Sequence, residues 1–255
     1  MYNRLQWLPK TRFAPSPTGY LHKGHIWSAI CVAAIAKDKN AAIHLRIEDH
    51  DKQRCSAHFT DVIKKDLEWI GFEWQSESVQ SERHKIYEKH FETLRKKDLL
   101  YEFYKTDKPK FMLKNPEGGD FAVKDAAGQW TYQFAVAVDD FEEDIDLIVR
   151  GEDLADSVSK QIYLAKILGR TQMPAFIHHS LIYDSSGKKL SKRDGSEGIC
   201  KERENGVSPK QVLSEICRYV MPGEDIPNEI SWGEALGYAL KGTDIWYCYE
   251  CQKEW

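Results

Sequence analysis

Arg12-Phe13-Ala14-Pro15-Ser16-Pro17-Thr18-Gly19-Tyr20-Leu21-His22-Lys23-Gly24-His25 runs without interruption into Ile26-Trp27-Ser28-Ala29-Ile30-Cys31-Val32-Ala33-Ala34-Ile35-Ala36. The first part is extended and rich in proline and glycine, and the second is apolar with helical character. The spacing predicts a strand, a turn and a helix N-terminus. Small residues such as Ala14, Ser16 and Gly24 let a nucleotide approach the backbone there. Free N–H groups and the helix dipole favour phosphate, and the imidazoles of His22 and His25, three positions apart, suit donation to phosphate oxygens. Histidines beside a glycine turn also serve simply as caps, so a second motif has to decide between the two.

That motif lies far downstream. In Lys188-Lys189-Leu190-Ser191-Lys192-Arg193-Asp194-Gly195-Ser196 the ammonium groups of Lys189 and Lys192 flank the small hydroxyl of Ser191 in a loop bounded by glycine. Such a loop suits charge developing on an α-phosphate and a pyrophosphate leaving group, and it can close and reopen over ATP. A lysine-rich loop alone is ordinarily a solvated surface. The two motifs together point to an ATP site that makes adenylates.

Between them the chain alternates. Ala42–Ile47 reads as a short apolar strand, 59–70 and 83–97 as amphipathic helices, Trp130–Val138 and Ile145–Val149 as strands, and 156–168 as a helix ending at Gly169. Ile177–Tyr183 is a strand delivering the lysine loop, and Pro209–Val220 a helix opened by Ser208-Pro209. This βα order predicts an α/β fold, a doubly wound parallel sheet with ligands at the carboxyl ends of its strands. The adjacent His178 and His179 on one strand should point to opposite faces.

In motif order the chain resembles class I aminoacyl-tRNA synthetases, whose signatures take the forms HxGH and KxSK. Arg12–Gly19, Leu45-Arg46-Ile47-Glu48-Asp49, Tyr132–Asp140 and Ile148-Val149-Arg150-Gly151-Glu152-Asp153-Leu154 narrow the resemblance to the glutamyl group. It implies the class I Rossmann-like fold with a small insertion and a C-terminal helical region. It also implies that Arg12 and Arg150 engage carboxylates of a bound glutamate, as guanidinium forks do. Glu48 would hold the α-ammonium, Ala14 and Ser16 would line the amino-acid subsite, and Tyr132 would close the side-chain pocket. His22, Gly24, His25, Lys189, Ser191 and Lys192 would serve ATP. The substrate's own α-carboxylate attacks phosphorus, so the enzyme supplies positioning and electrostatics. Magnesium would arrive with ATP. Without the motif order, Glu48 reads equally as part of a solvated loop, Arg150 as a strand end and Tyr132 as packing.

The domain organisation expected is a first half of the catalytic domain over 1–100, a shortened connective insertion over 101–129, a second half with the lysine loop over 130–195, and a small helical region over 196–255 without an anticodon-binding domain. This shortening is similar to that of the glutamyl-queuosine tRNA(Asp) synthetases, which place glutamate on the queuosine base of tRNA(Asp), and Val136 is also closer to them. Tyr101-Glu102-Phe103-Tyr104-Lys105 carries none of the cysteines of their zinc site, so zinc is not expected there. The alternatives are a glutamate-adenylating enzyme with another acceptor and a non-catalytic glutamate or nucleotide sensor.

Composition sets outer limits. The 255 residues, 42% hydrophobic and 12% aromatic, suffice for one large domain. With 36 Lys+Arg against 40 Asp+Glu the net charge is −4, so any tRNA contact must be local. Lys105, Lys108, Lys110 and Lys114 read as a polar loop able to attract phosphate. Six cysteines form no disulfide framework and follow no apolar leader, which predicts a reduced, cytoplasmic setting, and no segment is long enough to span a membrane. Cys248 and Cys251 form a lone CxxC, half of a metal site or a packed aromatic tail.

Overall fold

A computed structural model describes residues 8–51, 54–183 and 198–242, with the backbone of Tyr247–Tyr249. Lys189, Ser191, Lys192 and Cys251 lie outside the described residues, as does the side chain of Cys248.

The chain passes through β1 (Lys10–Phe13), α1 (Lys23–Asp38), β2 (Ala42–Ile47), α2 (Ala57–Ile70), β3 (Ser76–Val79), α3 (His84–Lys96), β4 (Leu100–Tyr104), β5 (Pro109–Leu113) and β6 (Phe121–Lys124). It continues through α4 (Tyr132–Glu142), β7 (Leu147–Gly151), α5 (Val158–Leu168), β8 (Ala175–His179), α6 (Ile199–Glu204), α7 (Pro209–Val220), α8 (Trp232–Lys241) and β9 (Tyr247–Tyr249). A six-stranded sheet has the order β3-β2-β1-β7-β8-β9, in which only β9 is antiparallel. The doubly wound parallel fold is therefore present, with one antiparallel edge strand added. β1 and β2 are buried along nearly their whole length, as strands covered on both faces must be.

The strand order reverses between β1 and β7, whose ladder holds a single partner pair, Thr11 and Leu147. Beyond that pair the two strands part and leave a crevice at their carboxyl ends, where doubly wound sheets bind ligands.

The local chemistry is visible at helix ends. α7 starts with a reciprocal cap between Ser208 and Gln211 and Pro209 in its first turn, while α2 ends on Gly71 at φ 93°, a left-handed conformation that glycine adopts without strain.

Three expectations need correction. Trp130–Val138 is not a strand: α4 begins at Tyr132, because Phe134–Asp140 is buried on every side and such a run carries no periodicity that separates helix from strand. The expected loop is only the turn between two strands: Lys105 and Lys108 lie in the turn from β4 to β5, Lys110 lies on β5 and Lys114 just follows it, within a three-stranded antiparallel sheet, β4-β5-β6, packed through Leu100, Leu113, Phe121 and Val123 against α3 and α4. Residues 196–255 are not purely helical, since β9 pairs with β8 at the edge of the main sheet. Their helices α7 and α8 share one core with α1, through Val212, Leu213, Ile216, Ala235 and Ala239.

Candidate functional site

A cavity of about 480 Å³ opens at the carboxyl ends of β1 and β7. Arg12, Ala14, Ser16, His22, Gly24, His25, Glu48, Tyr132 and Arg150, which the sequence scatters over well over half the chain, all line it. Each arrives on its own element: Arg12 from β1, Ala14 and Ser16 from the turn after it, the histidines from the start of α1, Glu48 from beyond β2, Tyr132 from the first turn of α4 and Arg150 from β7. The turn is pinned to β2 where the Glu48 N–H donates to the Pro15 carbonyl at 3.0 Å.

At the α1 end of the cavity the two histidines cap the helix reciprocally. His22 Nδ1 accepts from the Gly24 N–H at 3.1 Å, and His25 Nδ1 accepts from the His22 N–H at 3.1 Å. The two rings also lie against each other, with centroids 3.8 Å apart. The rings therefore take up two backbone N–H groups at this helix start, those of His22 and Gly24. A Cβ at Gly24 would lie 3.0 Å from His22 Cε1 and 3.1 Å from His22 Nδ1, so the His22 ring would have to shift to admit a side chain there. Lys23 ion-pairs with Glu202 of α6 at 3.5 Å and with Glu215 of α7. The Ile199 N–H donates to the Leu21 carbonyl at 2.8 Å, so the chain that returns from the lysine loop docks directly on the histidine motif.

At the deep end, Arg12 is 4% exposed, with Nε on Asp140 Oδ1 at 3.2 Å and Nη1 on the Val149 carbonyl at 3.3 Å. Its Nη2 has no protein partner among the described residues. Arg150 is differently placed: Nε meets His178 at 3.3 Å, Nη1 meets Gln161 at 2.8 Å and Nη2 meets the Leu154 carbonyl at 3.0 Å. Burial, with the Arg12 charge nearby, pulls its guanidinium below the usual arginine range. Of the two expected forks, Arg12 has the freer donor and Arg150 is a fixed charge.

Glu48 is 6% exposed, and burial pushes its carboxyl up to about 7, with Arg46 and Arg12 opposing. Burial and then the Glu48 charge raise the Tyr132 phenol. His178 and His179 do part, His178 toward Arg150 and His179 toward Ser28 Oγ at 3.1 Å. Burial lowers His179, which lines the cavity as a neutral ring. Sequence reasoning passed over Arg46, Asp140 and Glu143, which stand behind the cavity wall. Arg46 and Asp140 stand inside the quoted motifs, but only the charge of Arg46 within an apolar strand hinted at a role. Among the described residues no cluster of three His, Cys, Asp or Glu is placed to hold a metal ion.

Comparison with known proteins supplies the wider setting. The family described as tRNA synthetases class I (E and Q), catalytic domain, matches residues 10–110 and 110–236. Glutamate–tRNA ligase 1 of Paracoccus denitrificans is 32% identical over 293 residues, covering 92% of this chain and 65% of that protein. Glutamate–tRNA ligase of Aquifex aeolicus is 32% identical over 267 residues, covering 82% and 56%. A glutamate tRNA ligase from Elizabethkingia meningosepticum, solved in complex with its amino acid, superposes with a TM-score of 0.74 at 26% identity, covering 89% of this chain and 64% of that one. A glutamate-tRNA synthetase from Elizabethkingia anophelis gives 0.73 at 25% identity, covering 90% of this chain and 65% of that one. The chain thus spans 56–65% of the length of these relatives.

Proposed function

This chain belongs to the family of class I tRNA synthetase (E and Q) catalytic domains, and we propose that it activates glutamate with ATP to glutamyl-adenylate and passes the glutamyl group to the queuosine base of tRNA(Asp). The single observation that carries the activation step is the cavity itself, with a carboxylate, a partly free guanidinium and two capped imidazoles around one space.

Glu48, ionised, receives the α-ammonium, and Arg12 receives the side-chain carboxylate through Nη2 while Arg150 adds fixed positive charge. An oxygen of the substrate α-carboxylate attacks the α-phosphorus, the bond to the bridging oxygen of the β-phosphate breaks, and pyrophosphate leaves. The imidazoles of His22 and His25 are proposed to face the phosphates, with Lys189, Ser191 and Lys192 proposed to neutralise the leaving charge from the loop. Magnesium is proposed to enter chelated by ATP and to screen the phosphates when bound. The donors offered here are imidazoles and hydroxyls rather than a carboxylate cage, which fits an ion held mainly by the nucleotide.

The acceptor rests on the resemblance at Val136 to the glutamyl-queuosine tRNA(Asp) synthetases. A second reading, a different acceptor, is favoured by the compact β4-β5-β6 insertion, which has no cysteine along Tyr101–Lys105. Charging purified tRNA pools with labelled glutamate, with and without queuosine, tests this. Label on queuosine-containing tRNA(Asp) alone is expected, and label on tRNA(Glu), or on no tRNA despite adenylate formation, would reject it.

A further inference from the structure

Resting on the glutamate reading above, we propose that Asp140 and Arg46 are positioning residues that join the carboxylate-binding end of the pocket, Arg12, to its ammonium-binding end, Glu48, as one buried charge chain of fixed length. Neither lines the cavity, whereas both residues they hold do.

The chain is continuous. Asp140 Oδ1 accepts from Arg12 Nε at 3.2 Å and from Arg46 Nη2 at 2.8 Å. Arg46 Nη1 donates to Glu143 Oε2 at 2.8 Å, and its Nε lies 3.5 Å from Glu48 Oε1. One guanidinium on β2 thus reaches Glu48 on its own strand's extension and two acids on α4. β1 and β2 pair in parallel with Arg12 opposite His44, and Arg46 follows two residues on, so Arg12 and Arg46 share the sheet face that α4 covers. Arg46 is 0% exposed and Asp140 4%.

Such a buried set is a poor way to gain stability, since a well-packed apolar cluster of equal volume does as well or better. Its distinctive property is rigidity at the middle, because Asp140 is held by two guanidinium groups and Arg46 by Asp140, Glu143 and Glu48. Burial works to raise the Asp140 carboxyl, yet Arg12 and Arg46 outweigh it and hold it below the usual carboxylate range. Asp140 therefore stays anionic and holds the Arg12 guanidinium through Nε at the cavity wall. A substrate carrying its ammonium on Glu48 is then measured against Arg12, and the distance between the two ends selects the amino acid.

The test is amino-acid-dependent ATP–pyrophosphate exchange on the full chain, wild type and Asp140→Asn, with Michaelis constants for glutamate and ATP followed from about pH 5.5 to about pH 8.5. Glu48 is faced by Arg12 from β1, Arg46 from β2, Arg150 from β7, and Tyr132, Asp139 and Asp140 from α4. Removing one anion from that set should move the acid limb of kcat/KM for glutamate to lower pH. The expected result is a KM for glutamate raised about ten-fold or more, a KM for ATP within about two-fold of wild type, and the displaced acid limb. Folding is checked by thermal melting. Should Asp140→Asn not fold, Arg46→Lys, which keeps the charge but cannot span three acids, carries the decision by the same split between the two constants. A folded variant with unchanged KM for glutamate overturns the proposal, as does an equal rise in both constants with the acid limb unmoved. Absence of exchange in the wild type with every amino acid overturns the glutamate reading itself and this inference with it, whereas a normal wild type beside an unaffected variant overturns this inference alone.

Discussion

Glu48 is the residue at which binding and stability pull apart. Its carboxyl sits at about 7 in the folded chain against an ordinary value of 4.5, because burial outweighs the attraction of Arg46 and Arg12. The folded state therefore holds a proton that the unfolded chain has released between those values. The stability this residue permits is complete below about pH 4.5 and is lost as pH rises through about 7. Glu48→Gln is expected to melt higher than wild type at pH 8, by on the order of 1–3 kcal/mol, and to lose glutamate binding in calorimetry. In the wild type, glutamate affinity should rise from pH 6 to about pH 8 as the carboxyl ionises, and a flat profile would contradict the role given to Glu48. Gly24→Ala is the matching prediction at the nucleotide end. Its Cβ would press on the His22 ring, so the reciprocal cap should open at a cost of ~0.5–2 kcal/mol, and ATP titration should weaken while glutamate titration does not. The lining residues were legible in the sequence because each belongs to a motif of fixed order. Arg46, Asp140 and Glu143 were not, because their roles exist only once β2 and α4 are brought together in space.

Among the elements, α4 carries the sharpest lesson. Phe134, Val136 and Val138 alternate with small residues as a strand would, yet all of Phe134–Asp140 is buried and the run is helical. A helix enclosed on all sides loses the polar face that betrays its period. Phe134 is 0% exposed and packs with Trp130, ring centroids 5.3 Å apart. Phe134→Ala is expected to cost about 3–5 kcal/mol in urea unfolding. A loss below about 1 kcal/mol would mean that α4 is not seated as described. By contrast β2, α2, α3 and α7 were legible, since β2 is a short apolar run, the helices carry clear amphipathic spacing, and α7 adds a Ser-Pro start. The sheet β4-β5-β6 was hidden for the opposite reason. Its strands are short and lysine-bearing, and only Leu100, Leu113, Phe121 and Val123 mark the buried side.

At the scale of the whole molecule, the first sheet carries the cavity proposed to form the adenylate, and the second exposes Phe103 and Tyr104 with Lys105 and Lys108 in the turn that follows, the surface proposed to meet an RNA partner. Changing Lys105, Lys108 and Lys110 to Glu is expected to weaken glutamyl transfer to tRNA and to flatten its salt dependence by about one unit per lost phosphate contact, while exchange without tRNA stays at the wild-type rate. Reduced exchange in that variant would mean that the second sheet serves the pocket rather than the RNA. The central claim is that this cavity makes glutamyl-adenylate, and the most direct measurement is ATP–pyrophosphate exchange with glutamate, aspartate and glutamine, each with and without tRNA. Exchange with glutamate alone and without tRNA is the predicted result. No exchange with any of the three, with or without tRNA, would contradict the account.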